Sequence, residues 1–190
     1  MRLLLILLAT SFLTACVGLK PLQNMSELKK DEVAIVTRFV VRPAIGKADY
    51  FKSKNIETHK DGSPIIHAAF YKDFKYAEQN VRLPSGQFKD GEFQVIKISR
   101  GEKIYYYSAY AVLAGKVVGY YSTLDLPGGM VFDTDKSKVY YIGSLYYKRD
   151  AENEVVAAKV VDEYAAAKKF ITARLGADVK VKKKLLQAMD

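Results

Sequence analysis

The chain has 190 residues, 49% of them hydrophobic and 27% charged, with a formal net charge of +9 at pH 7. That balance excludes a disordered tail and a multi-span membrane protein, and a body of about 150 residues can bury ~68–70% of its surface in one packed domain. Cys16 is the only cysteine, so no disulfide can form within the chain and stability must come from the core.

Met1-Arg2 precedes an unbroken apolar run from Leu3 to Leu8, and the opening closes at Leu13-Thr14-Ala15-Cys16. A cationic start, a short apolar stretch and small residues before a cleavage point are the parts of a secretory signal. The apolar run is well below the ~20 residues that span a bilayer. Leu13-Thr14-Ala15-Cys16 resembles the bacterial lipobox. The resemblance implies that residues 1–15 are a signal peptide and that Cys16 becomes an acylated N-terminus held in the membrane by its lipid. Two or three acyl chains anchor lastingly where one binds reversibly. Val17 follows the cysteine where aspartate is the usual inner-membrane retention signal, which implies the periplasmic face of the outer membrane. Loss of Arg2 with the signal takes the charge from +9 to +8. A positive surface beside a membrane favours anionic lipid heads, polyanionic envelope polymers or acidic proteins; nucleic acid is not an expected partner in that compartment.

Residues 16–30 hold one proline and no sustained apolar period, and read as a lipidated tether whose ~14-residue coil reaches roughly 20 Å. From 31 to 190 the pattern is that of one β domain. Val33, Ile35, Phe39 and Val41 share one side of a strand, with Arg38 and Arg42 on the other. The polar stretch from Arg42 to Ser63 reads as loop or edge structure, and Pro64–Phe70 as a strand. Phe93–Ser99 and Lys103–Val112 flank Arg100-Gly101-Glu102 as a hairpin with glycine at positive φ. Turns follow at Ala114-Gly115-Lys116 and Pro127-Gly128-Gly129, around a strand over Val117–Thr123. Met130–Phe132 and Lys138–Tyr147 read as another hairpin about Asp133–Ser137. Turns at about 8–12-residue intervals argue for a mainly β, antiparallel sandwich or small barrel.

Glu154–Val161 reads as a last strand or as the first turns of a long helix, its four valines favouring the strand. Asp162 is placed to cap a helix to Leu175, with Tyr164, Ala167, Ile171 and Leu175 on one face and Lys168, Lys169, Thr172 and Arg174 on the other. Gly176 ends it. Val179 and Val181 alternate beyond it, and Leu185-Leu186 reads as docking the terminus onto the body.

The segment Phe132-Asp133-Thr134-Asp135-Lys136-Ser137-Lys138-Val139-Tyr140-Tyr141-Ile142-Gly143 resembles a Phe-x-Val-x-x-Gly-Lys-x-Tyr-Tyr-Ile-Gly signature of small bacterial lipoproteins, with Thr134 for the valine and Ser137 for the first glycine. Leu83-Pro84 and Gly91-Glu92-Phe93 resemble a strand start that often precedes it. The resemblance covers residues 83–147 and implies a transthyretin-like or carboxypeptidase-regulatory-like sandwich; it implies no reaction.

Nucleophilic catalysis needs a nucleophile beside a base. Cys16 is taken by lipid, and Gly143-Ser144 lacks the second glycine of a nucleophile elbow. Ser26-Glu27-Leu28-Lys29 matches Ser-x-x-Lys, but the Ser-Asp-Asn and Lys-Thr-Gly partners it requires are missing from the sequence. Glu57, His59 and Asp61 alternate as metal ligands could, yet lie in a polar loop with no second cluster, and His67 sits among Ile65, Ile66, Ala68 and Ala69. We therefore expect no enzyme, no metal and no cofactor.

Fourteen tyrosines accompany no tryptophan. Most are expected to be cross-strand packing; the functional alternative is a surface of Tyr105, Tyr107, Tyr120, Tyr140 and Tyr146 with Lys103, Lys116 and Lys138, suited to an envelope protein or an anionic polymer. Two functions follow as expectations. One is a non-catalytic, membrane-anchored interaction or assembly module. The other is a lipoprotein that captures a glycan or small anionic molecule.

Overall fold

The computed structural model describes residues 21–46, 58–75, 85–115 and 121–189. They form a mainly β sandwich of two sheets, with a helix near the C-terminus, as the residue pattern predicts. The first sheet contains β1 (Glu32–Arg42), β4 (Gln94–Ser99), β7 (Val139–Arg149) and β8 (Val155–Val161) in the order β4-β1-β7-β8. β9 (Val181–Lys183) joins the first residues of β7. The second sheet runs β10-β6-β5-β2-β3, from β2 (Ile66–Tyr71), β3 (Gly86–Phe88), β5 (Lys103–Gly115), β6 (Tyr121–Asp133) and β10 (Gln187–Ala188). The second sheet is antiparallel. The first is mixed, because β1 and β9 each pair with β7 in parallel.

Between the sheets lies the main core, with Val33, Ile35, Phe39 and Val41 from β1 facing Phe70, Tyr106, Leu124, Leu126 and Phe132. The predicted face of β1 is thus the inner one. Its outer face is not left to solvent along the first half, because Ala34 and Val36 join Leu22, Val95, Val139, Tyr141, Ala167 and Ile171 in a second apolar layer. That layer is closed by α1 (Tyr164–Leu175), which buries Ala167 and Ile171. Coverage on both faces explains why β7 reads as an almost continuous apolar run. Glu163 is the helix N-cap residue, not Asp162; the Asp162 carboxylate instead accepts from the Tyr164 N–H at 3.0 Å.

The stretch over residues 16–30 is not all tether. Leu22 is fully buried, its N–H donates to Val95 O at 2.9 Å, and Met25 and Leu28 pack against the same second layer. A 3-10 turn at Met25–Glu27, begun by the Asn24 side chain, lets three apolar residues without helical or strand period reach one surface. The domain therefore already includes residues 21–30.

The two hairpins expected at Arg100-Gly101-Glu102 and at Asp133–Ser137 are crossings between sheets, since β4 and β7 belong to one sheet and β5 and β6 to the other. Gly101 is not at positive φ; a Cβ there would meet Lys72 Cβ at 2.7 Å. Arg100 clamps the crossings together, its guanidinium donating to Ser137 O at 2.7 Å and to Asp135 O, and its N–H to Asp31 O. The reversal expected at Ala114-Gly115-Lys116 falls where β5 ends, and the strand expected from Val117 is seen from Tyr121 onward; residues 116–120 lie outside the described residues. Pro127-Gly128-Gly129 is not a turn but a bulge within β6, where the register with β5 steps from Tyr106↔Met130 to Ser108↔Pro127. A side chain on Gly128 would overlap the Tyr107 carbonyl. Extra residues in one strand are what a bulge accommodates.

Candidate functional site

The structure does not gather the predicted tyrosine–lysine surface. Cys16, Glu57, Lys116 and Tyr120 lie outside the described residues. Tyr140 is a correction: it is fully buried between the sheets, its hydroxyl accepting from Asp135 N–H at 2.8 Å and lying 2.9 Å from Asp135 Oδ1. Tyr105 and Tyr107 are half-buried on the outer side of the second sheet, Tyr105 against Phe74 and Tyr107 against Ala69 and Tyr71. Lys103 is on the same strand, 3.9 Å from Asp133. Tyr146 is on the outer side of the first sheet. Lys138 sits at that sheet's other end, donating to Lys29 O and Lys30 O at 3.2 Å each.

The alternation of faces along β7 is interrupted by a bulge. Val36↔Tyr141 is followed by Arg38↔Ser144, leaving Gly143 as the extra residue at φ +99°. Thr37 Oγ1 donates to Gly143 O at 2.7 Å and holds the bulge. Before it, Tyr140 and Ile142 face the main core; after it, Leu145 and Tyr147 do, so Tyr146 emerges on the face that Tyr141 occupies earlier in the strand.

A polar cluster assembles around Tyr146. Arg38 donates from Nε to Glu163 Oε2 at 2.8 Å and also pairs with Oε1, while another of its N–H groups reaches the Tyr146 hydroxyl at 3.0 Å. That hydroxyl donates to Glu163 Oε1 at 3.1 Å. The guanidinium lies 4.8 Å from the centre of the Phe93 ring. Glu163 is pinned further by its own N–H donating to the Tyr141 hydroxyl at 2.6 Å. Burial works to raise the Glu163 pKa, but hydrogen bonds from Ser144, Arg38 and Tyr146 outweigh it and hold the carboxyl below its usual value. Conversely, burial works to lower Arg38, and Glu163 with Tyr146 carries it upward. Both groups are thus fixed in charged form, and a carboxylate so held is a poor general base.

Beside this cluster a half-open groove of about 510 Å³ is lined by Arg42, Pro43, Tyr146, Tyr147, Lys148, Ala157, Ala158 and Lys159. Its cations follow from sheet register: Arg42 lies opposite Lys148, and Lys159 opposite Tyr146. Lys159 Nζ is 5.9 Å from the Tyr146 ring centre. Like charges side by side on neighbouring strands oppose pairing, and among the described residues Asp90, 3.6 Å from Arg42, offsets only one of them. The walls are braced by hydrogen bonds. Arg149, itself buried, donates to Pro43 O at 2.9 Å and Ala44 O at 2.8 Å, and Tyr147 is tied to Pro127 O at 3.0 Å. The groove can hold an anion by charge and lay an apolar body on Tyr146, Pro43 and Ala157.

Other residues singled out by pattern stay apart from it. His59 Nε2 is 3.3 Å from Phe88 O, Asp61 is taken by Ser63 and Lys89, and His67 stacks on Tyr110 at 5.0 Å. Ser26 lies in the exposed 3-10 turn, and Ser144 is buried beneath Tyr141. Among the described residues no group of histidine, cysteine and carboxylate side chains could hold a metal ion. Sequence pattern does not link Arg42, Lys148 and Lys159; the alternation that puts Arg38 and Arg42 on one face of β1 is legible, but their neighbours in β7 and β8 depend on two bulges.

Fold and groove define a two-sheet β sandwich carrying a small cationic surface. Comparison with protein-family models, with curated proteins and with solved structures finds no match to this chain.

Proposed function

We propose that the protein is a non-catalytic envelope lipoprotein, anchored through acylated Cys16 at the periplasmic face of the outer membrane, whose sandwich serves as an interaction module for an anionic partner. The lipobox-like Leu13-Thr14-Ala15-Cys16 and the residue after it support the anchor and its location. One observation carries the binding half: among the described residues the groove lining contributes Arg42, Lys148 and Lys159 around Tyr146 and no carboxylate, with Asp90 beside Arg42 outside the lining. A cationic, aromatic, half-open surface suits a polyanionic envelope polymer or an acidic protein. Capture of a small anionic molecule or glycan is the second reading, favoured by the hydrogen bonds that hold Tyr147 and Pro43 in the groove wall.

Titration calorimetry with dextran sulfate, uncharged dextran and inorganic phosphate tests this. Binding of dextran sulfate alone, weakened at least tenfold by Lys148→Glu with Lys159→Glu, supports the interaction module. Equally tight binding of inorganic phosphate, lost in the same variant, favours small-anion capture. Dextran sulfate binding unchanged by the two substitutions overturns the groove as the site.

A further inference from the structure

The segment that leads to Cys16 enters the domain at a fixed place. Leu22 is clasped from both sides, its N–H by Val95 O and its carbonyl by Arg174 Nε at 2.9 Å each. Only residues 17–20 separate Cys16 from Pro21, and five chain steps extend no further than about 17 Å. A domain tethered so closely cannot turn over freely, so the face around Leu22 is set against whatever holds Cys16.

That face is built from residues 21–30, α1 and β9, and it contains a groove of about 950 Å³ with Met25, Val139, Leu175 and Val179 among its lining. Lys136, Lys138 and Lys180 line the same groove, and Lys138 holds the backbone of Lys29 and Lys30 beside it. All five lysines are exposed. Among the described residues the acidic groups there are Asp135 and Asp178 in the lining, Glu27 and Asp31 on the entering segment, and Glu32, whose carboxylate accepts from the Lys29 N–H at 3.0 Å. Asp135 is partly offset by Lys182, 3.8 Å away. Cations over an apolar trough, at the point where the chain meets its anchor, match the chemistry of an anionic phospholipid head with the start of its acyl chains.

Resting on the lipid-anchor reading above, we infer that this layer is the membrane-facing surface of the anchored protein and that Lys29, Lys30, Lys136, Lys138 and Lys180 bind anionic phospholipid headgroups of the same bilayer. The Arg42–Lys148–Lys159 groove then lies on the same outer side of the first sheet but displaced from this layer, since Arg42 lies six residues along β1 from Val36, the partner of Val95, or about 20 Å.

The test uses the isolated full mature protein, reconstituted into vesicles of phosphatidylcholine alone or with phosphatidylglycerol and footprinted by lysine acetylation. Acetylation of Lys136 and Lys180 at least fivefold slower in the phosphatidylglycerol vesicles, with Lys148 and Lys159 unchanged, is the expected result. Equal rates in the two vesicles, or protection falling on Lys148 and Lys159, overturns the orientation while leaving the anchor intact. Failure to float with phosphatidylcholine vesicles overturns the anchor, and the orientation with it.

Discussion

The hydroxyl oxygens of Tyr106 in β5 and Tyr147 in β7 lie 2.8 Å apart, which joins the two sheets through the middle of their shared core. Tyr147 also donates to Pro127 O at 3.0 Å, and Tyr106 reaches Leu126 O at 3.4 Å. With Tyr147 donating to Pro127 O, Tyr106 is the donor between the two phenols, and a phenylalanine at 147 would remove the Pro127 carbonyl's phenol donor and leave the Tyr106 hydroxyl without its partner.

Burial raises the pKa of both phenols, and for Tyr106 the neighbouring Tyr147 raises it further. Their neutral forms are favoured in the folded state, so their contribution to stability is complete below the unfolded tyrosine pKa of about 10 and is lost as pH rises from there through the folded values. We expect the urea midpoint to fall steeply above about pH 10. Tyrosinate absorbance should show one group of tyrosines ionising freely and another only with unfolding. Full ionisation of all tyrosines in a still-folded protein would contradict the buried pair.

Gly143 makes the sharpest backbone prediction. At φ +99° a side chain is strained, and a Cβ would overlap Val160 Cγ1, so Gly143→Ala should cost about 3 kcal/mol or more. Gly62, at φ +78° with nothing within 4 Å, should lose only about 1 kcal/mol as alanine. Thermal unfolding of the two variants checks the ordering; equal losses would contradict a bulge that only glycine fits.

These positions also show what can be read from sequence. Period-two alternation reveals the inner face of β1, and a period of three and four reveals α1, because both are local geometry acting on a continuous pattern. Gly143 breaks the same inference in β7: one extra residue reverses the faces, and a run covered on both sides offers no charged residue between Val139 and Tyr147 to reveal the reversal. The corners at Arg100-Gly101-Glu102 and Asp133–Ser137 are legible as chain reversals, but a hairpin and a crossing between sheets use similar residues, and the choice lies in long-range pairing of β1 with β7. The Arg42–Lys148–Lys159 groove draws on three strands and two bulges, which no local pattern encodes. Leu22 is hidden because its three-residue spacing with Met25 and Leu28 spans a single 3-10 turn among polar residues, too short to mark a helix or a strand.

Leu22 gives the test of where the domain starts. A fully buried leucine, held through its backbone and packed through its side chain, should cost about 2–5 kcal/mol when cut to alanine; a tether leucine would cost nothing. Denaturant unfolding of Leu22→Ala decides between them, with an unchanged midpoint returning residues 21–30 to the tether.

The envelope role depends most on Cys16. Mass spectrometry of the mature protein isolated from its membrane fraction should find a chain beginning at Cys16 with a diacylglycerol-modified thiol, and Cys16→Ser should leave the precursor unprocessed. An unmodified, soluble product beginning at any other residue would contradict the lipid anchor, and with it the envelope role built on that anchor.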